Sequence, residues 1–160
     1  MSRMTVNERP VEFDLDPRMP LLYALREAMN LTGTKACGGG GAQCNGACMV
    51  LVDGVALRSC AITLAEAEGR LITTIEGLSR DRSHPVQQAM IDHHGSQCGF
   101  CTPGFIASMA VAHTQGRSDH DVVLAGNLCR CTGYAPIIRA AEAAAAQPVP
   151  DWMQADSAFI

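Results

Sequence analysis

Aromatic residues and long apolar runs are scarce in this sequence. Phe, Trp and Tyr make up 4% of its 160 residues, too few to predict the stacking platform of a single-strand nucleic-acid binder. The net charge of −4 also weighs against a nucleic-acid partner. No apolar run approaches the ~20 residues that span a bilayer, and residues 1–19 lack the apolar core of a secretory signal. We therefore expect a cytoplasmic protein that binds neither nucleic acid nor membrane.

Patterns for substrate chemistry are also missing. No Ser/His/Asp constellation or pair of carboxylates stands out, so no catalytic residue is predicted. The glycine run Gly38–Gly41 is not followed by the Lys-Ser/Thr that completes a phosphate-binding loop. The neighbours His93 and His94 are typical of a solvated helix end, and His113 and His120 of an exposed surface.

Cysteine, by contrast, is abundant, and its eight residues fall into two sets of four. The first set is Cys37, Cys44, Cys48 and Cys60, and the second is Cys98, Cys101, Cys129 and Cys131. An even count is compatible with disulfides, but the missing export signal disfavours them. Two four-thiolate metal sites are the better interpretation.

The spacing of the cysteines favours iron–sulfur clusters over zinc. Paired zinc ligands normally have two to four residues between them, whereas one residue separates Cys129 from Cys131. The first set follows the order of plant-type ferredoxins, with three cysteines close together and a fourth further on. Glycines Gly38–Gly41 would let backbone N–H groups approach the cluster sulfides. A zinc-stabilised interaction module remains the alternative.

Hydrophobic periodicity predicts strands in the first half and helices in the second. Alternation and the hairpin signal Asp53-Gly54 predict strands over 4–6, 11–15, 49–52, 55–58 and 71–75. Helical spacing, prolines at helix starts and glycines at helix ends predict helices over 20–30, 61–69, 84–95, 103–116, 119–126 and 135–147. The fold class is therefore α+β. We expect one domain over 1–77, a helical domain over 84–148, and an extended tail over 149–160.

Several segments resemble the iron–sulfur part of the molybdenum hydroxylases, the family of xanthine dehydrogenase and aldehyde oxidase. The strongest are QCGFCTPGFI at 97–106 and GNLCRCTGY at 126–134. Weaker ones are LTGTK at 31–35, VDG at 52–54, SC at 59–60 and TTIEG at 73–77. Within that family the sequence is most similar to bacterial xanthine dehydrogenase.

The resemblance implies a β-grasp ferredoxin-like domain followed by a four-helix-bundle domain, each holding one [2Fe-2S] cluster. The second cysteine set matches the cluster nearer molybdopterin, and the first set the cluster nearer FAD. Gln97 and Cys131 match positions that approach the pterin. The resemblance further implies a molybdopterin-binding large subunit and an FAD-binding subunit as partners, assembled as a dimer of heterotrimers.

The same resemblance implies a function. The chain would pass electrons from molybdopterin through both clusters to FAD while the enzyme hydroxylates a purine, xanthine or hypoxanthine. The alternatives are the same role in a relative that oxidises aldehydes, carbon monoxide or N-heterocycles, or a free-standing ferredoxin-type shuttle. Since the chain ends at Ile160, we expect the FAD and molybdenum domains on separate subunits unless the chain is a fragment.

The first cysteine set departs from the family pattern. The family usually has C-x4-C-x2-C, whereas Cys37, Cys44 and Cys48 form C-x6-C-x3-C. Three additional residues span at most ~10 Å of chain, so the loop must bulge. We expect Cys37 and Cys44 to remain ligands despite the longer loop.

Overall fold

The first half of the chain folds into a five-stranded mixed sheet. A computed structural model describes residues 1–38, 43–79 and 81–156. The strands are β1 (Ser2–Val6), β2 (Arg9–Phe13), β3 (Met49–Val52), β4 (Val55–Arg58) and β5 (Leu71–Thr73). Their order is β2-β1-β5-β3-β4. Strands β1 and β5 are parallel, and the other neighbours are antiparallel.

Tight hairpins fix the register of both outer strand pairs. Asp53 and Gly54 have φ values of 49° and 79°, and they join β3 to β4 as the sequence predicts. Asn7 and Glu8, with φ values of 49° and 65°, join β1 to β2 in the same way. Two consecutive positive φ values are the mark of a type I′ turn, whose twist matches the twist of the strands.

The predicted helix over 20–30 forms as two short pieces. Helix α1 (Leu21–Tyr23) continues directly into a π-helical turn (Ala24–Ala28). Leu21 and Leu25 of this segment pack against one face of the sheet. Leu22 points elsewhere, toward the first set of cysteines.

The predicted helix over 61–69 is wrong, because those residues form successive turns. Several of their backbone groups bond to residues 17–21 instead of completing a regular helical pattern. Leu64 N donates to Met19 O at 2.9 Å and Ala65 N to Pro17 O at 2.9 Å, while Ile62 O accepts from Leu21 N at 2.8 Å. These tertiary bonds occupy groups that a helix would need.

The second half is helical. Its elements are α2 (Ile75–Leu78), α3 (Pro85–Asp92), α4 (Thr102–Thr114), α5 (His120–Val123), α6 (Ala135–Ala145) and α7 (Asp151–Asp156). Proline stands first in α3, as predicted, because its missing N–H would have no partner there. Helix α4 is buried nearly all round and forms the centre of the helical part.

The tail differs from the extended segment expected over 149–160. Asp151–Asp156 form α7, and the Trp152 indole N–H donates to Leu78 O at 3.1 Å. Met153 is buried in the helical core. The tail therefore folds back on the molecule as far as it is described, while residues 157–160 lie outside the described part.

Two hydrophobic cores meet at strand β3. Because side chains alternate along a strand, Val50 and Val52 enter the core between the sheet and α1, whereas Leu51 enters the helical core. The mixture of strands and helices agrees with the predicted α+β class. The division of the chain into one domain over 1–77 and another over 84–148 stays a prediction. Within the described residues, no helix has both the length and the apolar character needed to cross a membrane.

Candidate metal centres

The first cysteine set converges on one buried point. Sγ of Cys37 lies 2.7 Å from Sγ of Cys44, 3.4 Å from that of Cys48 and 3.5 Å from that of Cys60. Cys48 lies 3.2 Å from Cys44 and 3.3 Å from Cys60, again between Sγ atoms. All four sulfurs lie within 4.8 Å of one another. The longer loop therefore still brings Cys37 and Cys44 to the other two cysteines.

Backbone structure explains how residues far apart in sequence meet here. Strand β4 returns the chain to the start of β3, where Ser59 N and Ser59 Oγ donate to Cys48 O at 3.2 and 2.7 Å. Cys60 follows directly. Gly38 has φ of 71°, a left-handed conformation that glycine adopts without steric cost. The neighbouring glycines 39–41 lie outside the described residues.

Burial and mutual contact set the protonation of these thiols. Burial raises the pKa of Cys37 to about 12, and it also raises that of Cys48. Burial acts in the same direction on Cys44, but contacts with Cys37 and the Gly46 N–H, 3.4 Å from its sulfur, outweigh it and lower the pKa. Thiols held protonated at neutral pH must release protons to bind a metal.

The donor set fits a thiophilic metal centre. All eight cysteines are free thiols, so none is consumed in a disulfide. Sets of four thiolates hold zinc or iron–sulfur clusters. Among the described residues, the first set is the one group of possible ligands whose donor atoms all lie within 4.8 Å.

The second cysteine set lines a more open cavity of about 460 Å³ on the helical part. Cys101 precedes α4 and is buried together with Cys129, whereas Cys98 and Cys131 are exposed. Burial raises the pKa of Cys101 to about 12, with a further contribution from its hydrogen bond to Cys129. A hydrogen bond with Cys98 raises the pKa of Cys131. The four thiols thus interact in pairs across one cavity.

The pKa of Cys129 shifts in the opposite direction from those of Cys101 and Cys131. Burial pushes its pKa upward, but hydrogen bonds from the Thr132 hydroxyl and from the backbone N–H groups of Thr132 and Cys131 lower the pKa overall. The Thr132 hydroxyl lies 3.2 Å from Cys129 Sγ. Cys129 is therefore the member of this set that its surroundings best prepare to act as a thiolate.

The two cysteine sets are joined by backbone contacts. Leu128 N, next to Cys129, donates to Asn45 O, next to Cys44, at 2.9 Å. Asn127 Nδ2 lies 3.4 Å from Gly46 O, and its Oδ1 accepts from Ser108 Oγ at 2.8 Å. The loop that carries the first set is thus held against the turn that carries the second.

Glycine at 104 makes this contact possible. A Cβ at Gly104 would lie 2.1 Å from Gly46 O and 3.1 Å from Ala47 Cα. Helix α4 therefore packs its bare backbone on the loop between Cys44 and Cys48. Sequence reasoning missed Gly104, Ser108 and Asn127, although the motifs that resemble the family contain all but Ser108.

Gln97 and the histidines singled out in the sequence differ in their exposure to solvent. Gln97 is exposed beside Cys98. His94 is exposed, as a solvated helix end predicts. The expected exposure of His113 is wrong: its side chain is buried against His84, with ring centroids 5.9 Å apart, because its Nε2 finds a partner 2.8 Å away in Gln147 O.

Comparison with known sequences gives consistent matches. Residues 74–142 match the family described as the [2Fe-2S] binding domain. A nicotinate dehydrogenase subunit of Pseudomonas putida is 47% identical, over 89% of this chain and 92% of that protein. A probable xanthine dehydrogenase subunit of Bacillus subtilis is 44% identical, over 87% and 82%. Aldehyde oxidase 2 of Cavia porcellus is 43% identical, but the chain spans 11% of it.

Comparison with solved structures also matches the chain to oxidoreductases. Quinoline 2-oxidoreductase from Pseudomonas putida matches with a TM-score of 0.82 and 36% identity, over 99% of this chain and 95% of the matched chain. Aldehyde oxidoreductase from Desulfovibrio gigas matches with a TM-score of 0.81 and 38% identity, over 91% of this chain and 17% of its own. The chain therefore corresponds to most of some small subunits and to a minor part of longer oxidoreductases.

Proposed function

The chain belongs to the iron–sulfur components of the molybdenum hydroxylases, and on that premise we propose that it carries electrons between two partner subunits. In this proposal it holds two [2Fe-2S] clusters, and the partners hold molybdopterin and FAD. The convergence of four cysteine sulfurs within 4.8 Å of one another, despite an irregular loop, is the observation that carries the proposal.

Each cysteine set is assigned one cluster. Cys37, Cys44, Cys48 and Cys60 are the ligands of the first, and Cys98, Cys101, Cys129 and Cys131 are the ligands of the second. Such clusters, when bound, accept and release single electrons, so the chain would connect molybdopterin to FAD. Spacing supports iron over zinc, because one residue separates Cys129 from Cys131.

The chain's own residues have separate tasks in this scheme. Burial of Cys37, Cys44 and Cys48 excludes water from their side of the site, and the Gly46 N–H donates to Cys44 Sγ. The hydrogen bond from Leu128 N to Asn45 O holds the two sets at a fixed separation. Fixed geometry matters because it lets electrons pass without the chain having to rearrange.

Exposure suggests which face meets which partner. Gln97, Cys98 and Cys131 are exposed together on the helical part, and this face is assigned to the molybdopterin-binding subunit. Cys60 is the half-buried member of the first set, and its side of the molecule is assigned to the FAD-binding subunit. The complete assembly is proposed to be a dimer of heterotrimers.

The substrate of the enzyme is proposed to be a purine, xanthine or hypoxanthine. The similarity to the probable xanthine dehydrogenase subunit supports this choice. The similarities to the nicotinate dehydrogenase subunit and to quinoline 2-oxidoreductase favour a second candidate, another N-heterocycle. Both candidates are nitrogen-containing rings, which a partner subunit would bind.

Isolation of the native complex tests the proposal. The chain, tagged in its own organism, should copurify with two partners, with molybdenum and with FAD. Adding xanthine, nicotinate or an aldehyde to separate anaerobic samples should bleach the visible absorbance with one substrate class only. A chain that elutes alone, without molybdenum or flavin, would instead establish a free-standing shuttle.

A further inference from the structure

The hydroxyl group of Thr132 has a fixed orientation beside the second cysteine set. Thr132 Oγ1 accepts a hydrogen bond from Tyr134 N at 3.1 Å and lies 3.2 Å from Cys129 Sγ. A hydroxyl has one proton and can both donate and accept. Because its oxygen accepts from Tyr134 N–H, its own proton is left to point at the sulfur.

Tyr134 holds this arrangement in place. Its φ of 70° is left-handed, a conformation that is sterically costly for a non-glycine residue. Three contacts offset that cost. Its N–H binds Thr132, its Oη accepts from Cys129 N at 3.2 Å, and its ring meets buried Phe105 edge-on at a centroid distance of 6.3 Å.

Cys129 is consequently held at two points. Tyr134 Oη occupies its backbone N–H, and Thr132 supplies a donor to its sulfur. In the first set, Cys44 Sγ instead receives a backbone N–H, that of Gly46, at 3.4 Å. A side-chain donor can be removed by a single substitution, whereas a backbone donor cannot.

We propose that Thr132 is a positioning residue that raises the reduction potential of the second cluster through its hydrogen bond to Cys129 Sγ. The inference rests on the proposed function, since it requires a cluster at this site. An added electron increases the negative charge on the sulfur ligands, and a hydrogen-bond donor stabilises that charge. The neighbour Thr102 offers a matched comparison, because its hydroxyl follows Cys101 but binds Ser96 Oγ at 2.8 Å instead of sulfur.

Redox titration of the full chain with its clusters bound, followed by EPR, tests the inference. Thr132→Val removes the donor at nearly constant shape, Thr132→Ser keeps the hydroxyl, and Thr102→Val removes the neighbouring hydroxyl. We expect Thr132→Val to disfavour reduction of the second cluster by up to about tenfold, or about 59 mV for one electron. Thr132→Ser and Thr102→Val should match the wild type, and the first cluster should keep its potential in all three.

The outcomes separate this inference from the proposed function. Unchanged potentials in Thr132→Val, or an equal shift in Thr132→Ser or Thr102→Val, would overturn the role of the Thr132 hydroxyl while leaving the clusters established. If Thr132→Val loses iron, Thr132→Ala provides the second donor-free variant, and loss of iron from both would make Thr132 structural and overturn the inference. A wild-type chain without a second EPR signal would overturn the second cluster itself, and this inference with it.

Discussion

Replacing Gly104 by alanine tests the contact that holds α4 against the first cysteine loop. The new Cβ would lie 2.1 Å from Gly46 O, more than 1 Å short of ordinary van der Waals contact. The opposing atoms are backbone, so no side chain can rotate away. Overpacking of this kind costs about 1–3 kcal/mol, occasionally more, and the better helix propensity of alanine returns up to about 1 kcal/mol.

We therefore expect Gly104→Ala to lower the free energy of unfolding by about 2 kcal/mol. This value takes the overpacking cost at the upper end of its range and subtracts the gain in helix propensity. For a chain of this size, that corresponds to a fall in Tm of about 4–8 °C. Thermal unfolding by circular dichroism at one heating rate measures the change. Visible absorbance in the same scan should show earlier loss of the first cluster, because the helix would push Gly46 and its neighbours outward.

Gly126→Ala is the matched control for this prediction. It changes a nearby glycine at the same contact, but the nearest atoms to its Cβ are side-chain atoms 3.8 Å away. It should alter stability by no more than about 0.5 kcal/mol. If Gly104→Ala behaved like Gly126→Ala, or raised Tm, the close contact of α4 with the loop would be refuted.

Three further predictions follow from individual side chains. Cys37→Ser should reduce the iron content from about four to about two atoms per chain, measured by inductively coupled plasma analysis, and an unchanged spectrum would remove Cys37 from the ligand set. His84 caps α3 by accepting from Val86 N, and burial lowers its pKa to about 4. The unfolded chain therefore binds more protons between about pH 6.5 and 4, so stability should fall by up to about 3 kcal/mol as pH falls through that window. His84→Asn should flatten this dependence in urea titrations, and an equally steep profile would contradict the assignment. Trp152→Phe should cost about 1 kcal/mol by removing the indole bond to Leu78 O, and a cost below a few tenths in urea unfolding would show that α7 does not dock in solution.

Sequence reasoning succeeded where the signal is local. The Asp53-Gly54 hairpin and α3 with its leading proline follow from residue preferences that act over a few positions. The grouping of the cysteines was also readable, because spacing divides them into two sets. Metal ligation by both cysteine sets, and the approach of Gln97 and Cys131 to the pterin, stay predictions.

Features that depend on distant partners could not be read in this way. Residues 61–69 have helical periodicity, yet their backbone groups bond to Pro17, Met19 and Leu21. His113 has no local sign of burial, and its carbonyl partner lies 34 residues away. Gly104 and Gly46 are likewise far apart in the sequence, and no local pattern around either residue predicts that they approach each other.

Counting iron on the full chain tests the central claim most directly. The chain, produced with iron and purified without oxygen, should contain about four iron atoms and as many acid-labile sulfides, the total of two two-iron clusters. After partial reduction it should give two EPR signals that titrate separately. About two iron atoms with a single signal would contradict the two-cluster account, and a colourless protein with stoichiometric zinc would contradict electron transfer altogether.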